Sequence, residues 1–211
     1  MKILLKIVVI SSLLLSCSSS KLVNHWESTE AYNFEANKVL VIGMSSNVES
    51  RRLFEDKLVS ELEKNGVIAV KSIDFFEQSF TENKKTVEDL NKIETLLLET
   101  GFDAILLSKV TSTENKVTLV NVFKNVDQNF KNFREDYYQN QEIYYEESYL
   151  SESKIYHTET NLYCICPDKE RELLWKGIID ITNPNKTKKS ITDYVRILIN
   201  ELKTKHVLIT H

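Results

Sequence analysis

The stretch that decides the fold reads KVLVIGM at residues 38–44 and SSNVESRRLFEDKLVSELEKNG at residues 45–66. The first part is a short apolar run rich in β-branched residues, which is typical of a buried strand. In the second part Phe54, Leu58 and Leu62 recur every four residues, so they share one face of a helix. The sequence therefore predicts a strand followed directly by an amphipathic helix.

Both ends of that helix are marked. Ser46 and Glu49 have the spacing of a capping box, which satisfies two backbone N–H groups at a helix start. Gly66 stands where a left-handed residue commonly ends a helix. A helix start after a strand can also hold an anion, but the segment from Gly43 lacks the further glycines and the lysine of a phosphate-binding loop. We therefore predict a helix that begins at Ser46, and no cofactor.

The same alternation continues outward. VIAVKS at residues 67–72 is predicted as a second strand, a helix is predicted over about 83–100, and FDAILLSKV at residues 102–110 is predicted as a third strand. Short connections in the order β-α-β-α-β predict right-handed crossovers and a parallel sheet. Residues 110–122 are predicted to run through a polar turn into an antiparallel return strand.

Further elements follow towards the carboxyl terminus. KIYHTETNLYCIC at residues 154–166 and LLWKGIIDIT at residues 173–182 are predicted to form an antiparallel hairpin. A helix is predicted over 188–203, and HVLIT at 206–210 is interpreted as a short edge strand. The predicted fold class is therefore α/β with a mixed (α+β) sheet, in which a β-α-β-α-β core gains antiparallel hairpin strands and a C-terminal helix.

The amino terminus resembles the leader of a bacterial lipoprotein. Residues 1–16 join a lysine-containing start to an apolar run that is shorter than the ~20 residues a membrane-spanning helix needs. LLSC at residues 14–17 resembles the lipobox, and this resemblance implies cleavage before Cys17 and acylation of its thiol. Several acyl chains on one residue give stable attachment to a membrane. The alternative is an ordinary cleaved signal peptide with a cysteine near the cut.

The segment after the leader is polar and has little periodicity. We predict that residues 17–37 form a flexible tether with a root-mean-square reach of roughly 25 Å, and that residues 38–211 form a single domain. No Asp follows Cys17. By analogy with lipoprotein sorting, the expected location is the periplasmic face of an outer membrane, with display on the cell surface as the alternative.

The charge balance argues against nucleic acid as a partner. The chain has 27 Lys and Arg against 31 Asp and Glu, and loss of Lys2 and Lys6 with the leader changes the formal net charge from −4 to −6. Nucleic-acid-binding domains normally carry a basic patch or a high pI. We therefore expect two other partners: the membrane, through acylated Cys17, and an envelope protein.

Few side chains suggest chemistry, and the sequence predicts no catalytic residue and no metal ligand set. Cys164 and Cys166 lack the two further ligands of a structural zinc site. A disulfide between them is awkward for an extended chain, so we predict two small buried hydrophobic side chains rather than a redox or metal pair. His157 and Glu159 would share a strand face, and they are predicted to be a solvated pair.

Two arginines lie near the start of the first helix, where a cation opposes the helix dipole. Glu55 and Asp56 stand at helical spacing from Arg51 and Arg52, so we predict ion pairs within the helix. The alternative is contact with an acidic partner.

Residues 123–153 form a long excursion of mixed charge, Asn and Gln with clustered tyrosines. Such an excursion inside a domain is functional or mobile, and tyrosines suit contact surfaces because they combine apolar area with a polar tip. A possible contact surface therefore consists of Tyr137, Tyr138, Tyr144 and Tyr145. The alternative is a tyrosine-rich extended hairpin that packs on its own domain.

Four segments together carry a family resemblance: residues 51–72, 101–110, 160–163 (TNLY) and 173–175 (LLW). They resemble a group of bacterial lipoproteins whose domain is similar to the amino-terminal α/β domain of TolB and to CsgG-type periplasmic proteins. The resemblance covers most of residues 38–205 and implies the fold. The group has no assigned reaction, so the resemblance implies no catalytic residue.

Two functions fit these observations. The first is a lipid-anchored, non-enzymatic interaction or assembly module of the cell envelope, which is favoured because no catalytic constellation can be named. The alternative is an envelope enzyme or small-ligand binder that acts on a saccharide or lipid. A pocket lined by Tyr144, Tyr145 and His157 would favour this alternative.

Overall fold

The structure is a computed structural model. The residues that it describes are 19–76, 78–114, 132–145, 155–166, 172–182 and 186–209. None of the helices within these ranges combines the length and the hydropathy that crossing a bilayer requires.

Within the described ranges, six strands form one mixed sheet in the order β1-β6-β5-β4-β2-β3. The strands are β1 (Ser20–Glu27), β2 (Val39–Met44), β3 (Ala69–Lys71), β4 (Ala104–Glu114), β5 (Ile155–Cys164) and β6 (Leu173–Thr182). Strand β2 pairs in parallel with both β3 and β4, whereas β4, β5, β6 and β1 pair antiparallel in turn. The predicted fold class, α/β with a mixed sheet, is confirmed.

Helices cover both faces of this sheet. They are α1 (Val48–Lys64), α2 (Ser72–Phe75), α3 (Val87–Glu99), α4 (Phe133–Asn140) and α5 (Thr187–Thr204), with 3-10 turns at Gln78–Thr81 and Gln141–Tyr144. One core packs α1 and α5 on the face that includes Val39 and Val41, and a second core packs α3 and α4 on the face that includes Leu40 and Ile42. Because β2 is covered on both faces, it reads as a continuous apolar run.

Two helices begin later than the sequence predicts. The side chain of Asn47 caps α1 and accepts a hydrogen bond from the backbone N–H of Ser50 at 2.7 Å, so the predicted start at Ser46 is wrong. Helix α3 begins after Thr86, which forms a capping box with Asp89. Asn and Thr are both strong capping residues.

The prediction of a flexible tether over residues 17–37 is wrong from Ser19 onward. Residues 20–27 form β1, which pairs with β6. Ala31 is buried, and the N–H of Asn33 donates to the carbonyl of His206 at 2.9 Å. Only Ser20 of the eight residues in β1 is buried, so its sequence, SKLVNHWE, lacks the apolar pattern of a buried strand.

Two further predictions fail in the described residues. Residues 206–209 are not a strand: His206 and Leu208 have positive φ values of 52° and 64°, and the chain here packs into the core. The tyrosine-rich excursion contains helix α4 and a 3-10 turn over 132–145 rather than an extended hairpin. The rest of that excursion and the predicted return strand over 115–122 lie outside the described residues.

The two cysteines of the domain contradict the prediction of free thiols. The structure joins Cys164 and Cys166 in a disulfide, with their Cα atoms 5.3 Å apart, within the usual range for such a bond. Strand β5 ends at Cys164, and the N–H of Ile165 then donates to the carbonyl of Asp103 at 2.9 Å. The prediction assumed a chain that stays extended through Cys166, and that assumption is wrong.

Candidate functional site

A cavity of about 310 Å³ opens at one end of the sheet. Its lining comes from the carboxyl end of β2, the middle of β4, the amino-terminal half of β5, the end of β6 and the first turns of α1 and α5. Ligand pockets in proteins commonly have volumes of about 300–1,000 Å³. The cavity therefore has the size of a site for a small ligand.

The topology explains why a cavity forms at this place. Strand β2 lies between β3 and β4, and all three are parallel. Helix α1, which follows β2, packs on one face of the sheet, whereas α4, which follows β4, packs on the other. In an open α/β sheet, a crevice opens outside the carboxyl ends of two neighbouring strands whose connections leave to opposite faces. Met44 and Val110 line the cavity at that point.

Ser108 of β4, Thr158 of β5 and Tyr194 of α5 bring hydroxyl groups to the floor of the cavity, and the fully buried Thr160 joins two of them. Ser108 Oγ lies 2.7 Å from Thr160 Oγ1, which is also hydrogen-bonded to the hydroxyl of Tyr194. Burial raises the pKa of Tyr194, so its phenol stays neutral and can donate. The floor therefore offers neutral hydrogen-bonding groups.

The walls are mainly apolar. Phe54 of α1 meets the ring of Tyr194 edge to face, with the ring centroids 5.7 Å apart. Met44, Ile181 and Ile191 complete these walls. A ligand with an apolar body and one hydrogen-bonding group suits this combination of walls and floor.

A buried ion pair holds the rim of the cavity. Arg51 Nε lies 3.0 Å from Glu55 Oε1, and an Arg51 amino group donates to Ser72 Oγ at 2.9 Å. Glu55 also accepts the N–H of Gly43 at 3.0 Å. Burial would lower the pKa of Arg51, but the nearby Tyr144 and Glu55 raise it overall. Arg51 therefore stays charged, and the predicted pairing with Glu55 is confirmed.

The predicted ion pair between Arg52 and Asp56 is wrong. Arg52 lies 3.4 Å from Asp74, whereas Asp56 lies 2.7 Å from Lys71. Helix α2 begins at Ser72 and brings Asp74 to Arg52. Spacing along α1 alone could not reveal this tertiary contact.

Gly43 is required by close packing at the rim. A Cβ atom at this position would lie 2.9 Å from Cδ1 of Phe54. The sequence placed Gly43 at the end of the predicted strand and at the start of a possible anion-binding turn, whereas the structure gives it a packing role between β2 and α1.

A second polar cluster lies buried beneath the opposite face of the sheet. Lys109 is hydrogen-bonded to Asp136 of α4 and lies 3.0 Å from Glu159 of β5. Burial would raise the pKa of Glu159, but Lys109 and Lys176 lower it overall. Asn161 Nδ2 donates to both Asp136 and Glu159 at 2.8 Å. These charges fix α4 on the sheet.

The prediction that His157 and Glu159 form a solvated pair is wrong, because both side chains are buried. His157 Nδ1 lies 2.6 Å from Asp180 Oδ1 on the neighbouring strand β6. Glu159 turns to Lys109 instead. In the part of the chain that the structure describes, no group of three or more His, Cys, Asp and Glu side chains is placed to hold a metal ion.

The four tyrosines named as a possible contact surface divide into two pairs. Tyr137 is 1% exposed and packs in the second core, so it lies on no surface. Tyr144 packs against the same core, and burial raises the pKa of its phenol to about 12. Tyr138 and Tyr145 are 49% and 38% exposed. Tyr144, Tyr145 and His157 are not among the residues that line the cavity.

The proposed acylation site, Cys17, lies outside the described residues.

Comparison with known proteins found solved structures that are distantly similar. The sequence matches no family profile and no curated protein. Similar solved structures include a PelC dodecamer from Paraburkholderia phytofirmans, at 7% identity and a TM-score of 0.43 over 89% of this chain and 97% of that chain. They also include the lipoprotein GNA1162 from Neisseria meningitidis, at 15% identity and a TM-score of 0.40 over 79% of this chain and 96% of that chain. Similarities this distant say nothing of activity.

Proposed function

We propose that this protein is a lipid-anchored cell-envelope protein that acts by binding rather than catalysis, with the cavity between α1 and α5 as its ligand site. The observation that carries the proposal is the position of the cavity at the carboxyl end of β2, beside the middle of its parallel neighbour β4; open α/β sheets bind ligands outside the carboxyl ends of their strands. The hydroxyl floor and apolar walls suit a small amphipathic molecule. The earlier alternative of a site around Tyr144, Tyr145 and His157 is replaced by this one.

A cavity-filling pair of variants tests the site. Ile191 lines the cavity, whereas its neighbour Thr192 is exposed on α5. Native mass spectrometry of the detergent-extracted protein should detect a bound small molecule in the wild type and in Thr192→Trp. The same molecule should be absent from Ile191→Trp, although both variants are folded by circular dichroism. Retention of the molecule by Ile191→Trp would refute the assignment.

The anchor is part of the same proposal. The lipobox-like residues 14–17 support acylation of Cys17, and the absence of Asp after Cys17 supports the periplasmic face of an outer membrane. Cells grown with an alkyne fatty acid should label the wild type and leave Cys17→Ala unlabelled. The resemblance to the TolB amino-terminal domain and to CsgG-type proteins remains part of this proposal, and the observed β-α-β-α-β order supports it.

A protein partner is the second candidate, and the edge of the sheet favours it. Strand β1 is the end strand of the described sheet, and Val23 and Trp26 on it are each 43% exposed. Open strand edges and exposed aromatic side chains are typical of protein contacts. Photo-crosslinking from position 26 in intact cells should yield a discrete adduct, and crosslinking from the exposed Thr95 of α3 should not. Equal adducts from both positions would refute this surface.

A further inference from the structure

We infer that the domain lies directly on the bilayer, with the end of the sheet that holds Ser19 facing the lipid, and that the exposed lysines at the start of α5 contact phosphate groups of anionic lipids. This inference rests on the proposed acylation of Cys17. It replaces the picture of a domain on a long tether with a fixed orientation.

The chain is already fixed at Ser19. Its backbone N–H and its hydroxyl both donate to Asp193 Oδ2, each at 2.8 Å. Its carbonyl accepts the N–H of Thr182 at 2.7 Å. Asp193 belongs to α5, whose residues Leu198 and Leu202 lie in the first core. The point at which the chain enters the domain is therefore held by the sheet and by a core helix.

Little chain separates this point from the acylation site. Two consecutive Cα–Cα links of 3.8 Å place the Cα atom of Cys17 within about 7.6 Å of that of Ser19. The polar headgroup layer of a bilayer is roughly 5–7 Å thick on each side. When the acyl chains of Cys17 enter the hydrocarbon, Ser19 therefore lies within the headgroup layer or directly against it.

The same end of the sheet carries the start of α5 and the cavity. Ser20 pairs with Ile181, one residue before the end of β6, and Ser20 Oγ donates to the carbonyl of Ser190 at 3.4 Å. Ile181 and Ser190 both line the cavity. An anchor at this end therefore brings the first turn of α5 and the mouth of the cavity towards the membrane.

The charge of this end suits an anionic surface. Lys186, Lys188 and Lys189 are exposed, and the first turn of α5 contains no acidic residue. Lys189 is paired with Asp193 at 2.7 Å, so Lys186 and Lys188 are the side chains that we assign to lipid phosphate. Basic side chains next to a membrane anchor strengthen binding to anionic lipids. The mature chain is acidic as a whole, so this basic patch is a local feature.

Lysine acetylation in vesicles tests the orientation. The mature acylated protein is placed in vesicles of phosphatidylcholine, with or without phosphatidylglycerol, and the acetylation of each lysine is followed by mass spectrometry. Phosphatidylglycerol should slow acetylation of Lys186 and Lys188 by about fivefold. Lys203 lies roughly 23 Å along α5 from Lys188. It should react at an unchanged rate and serves as the matched control. High salt should abolish the protection, and free phosphate added to phosphatidylcholine vesicles should not reproduce it.

The inference is overturned if phosphatidylglycerol leaves the acetylation rates of Lys186 and Lys188 as unchanged as that of Lys203. A second preparation separates this result from a failure of the proposed anchor. Of the three cysteines in the chain, Cys164 and Cys166 are paired, so the unacylated chain from Cys17 onward can be coupled to a maleimide lipid through Cys17. Protection in this preparation without acylation in cells refutes the anchor alone. Acylation in cells without protection in either preparation refutes the orientation alone.

Discussion

The backbone N–H and the hydroxyl of Ser19 both donate to a single carboxylate oxygen of Asp193, each at 2.8 Å. This contact joins the chain two residues after Cys17 to helix α5, which packs with α1 on one face of the sheet. Any lipid attached to Cys17 is therefore mechanically connected to the walls of the cavity. The proposed ligand site and the proposed membrane anchor therefore lie at the same end of the molecule.

Replacing Asp193 with Asn tests this connection. The variant keeps one oxygen acceptor but loses the charge that strengthens its hydrogen bonds with Ser19 and Lys189. We expect a loss of about 2 kcal/mol in the free energy of unfolding at pH 7, measured by urea denaturation. Glu63→Gln, an exposed change of the same chemistry on α1, should change the free energy by less than about 0.5 kcal/mol. Equal effects of the two substitutions would contradict the assigned role.

The same variant predicts a dependence on pH. Burial would raise the pKa of Asp193, but hydrogen bonds from Lys189 and Ser19 hold it well below its ordinary value. A lowered native pKa stabilises the fold above the unfolded pKa of about 3.9 and loses that contribution as pH falls further. The difference in unfolding free energy between wild type and Asp193→Asn should therefore be constant from pH 5 to 7 and shrink below about pH 4. A difference that grows on acidification would contradict this sign.

The buried carboxylate of Glu55 should be essential to the rim of the cavity. It is 0% exposed and accepts hydrogen bonds from Arg51, Ser72 and the N–H of Gly43. Replacing Glu55 with Gln leaves the buried cation of Arg51 without its counter-charge, which should cost about 3–5 kcal/mol of unfolding free energy. Chemical denaturation measures this cost, with Glu63→Gln as the control on the same helix. A cost below about 1 kcal/mol would show that the pair is not a structural support.

Gly177 should not tolerate a side chain. A Cβ atom here would lie 2.2 Å from Cη2 of Trp175, which is fully buried. Gly177→Ala should therefore destabilise the protein by about 1–3 kcal/mol through overpacking and alter the near-ultraviolet circular dichroism of Trp175. Gly101→Ala, at a positive φ of 83° with nothing within 4 Å of the new Cβ, should cost about 1 kcal/mol and leave that spectrum unchanged. An unchanged spectrum for Gly177→Ala would contradict the packing described.

The buried cluster around Lys109 should control the docking of α4. Lys109→Met removes the cation shared by Asp136 and Glu159, which should cost about 3–5 kcal/mol and speed amide hydrogen exchange in residues 133–140. Lys92→Met removes an exposed pair with Glu88, and its effect should stay below about 0.5 kcal/mol. Exchange in α4 that is no faster in Lys109→Met than in Lys92→Met would contradict this role.

Elements with local patterns could be predicted from the sequence. The run over 38–44 and the four-residue spacing in α1 gave the correct strand and helix, because both faces of β2 are covered and one face of α1 is buried. The edge strand β1 was missed, because a strand with one paired edge and polar outward side chains resembles a polar linker. The Cys164–Cys166 disulfide was missed because the bend after β5 depends on tertiary contacts.

The cavity had no local signature. Its floor joins Ser108, Thr158 and Tyr194, which come from β4, β5 and α5 and meet only in the folded sheet. One signal was present in the sequence: Thr158 and Thr160 place two hydroxyl side chains on the same strand face as Leu162 and Cys164.

Intact-mass spectrometry of the protein extracted from cell membranes tests the central claim most directly. We expect a chain whose first residue is Cys17 and whose mass exceeds that of the polypeptide by several acyl chains. A chain that begins upstream of Cys17, or a mass equal to that of the unmodified polypeptide, would contradict the lipid anchor and the orientation derived from it.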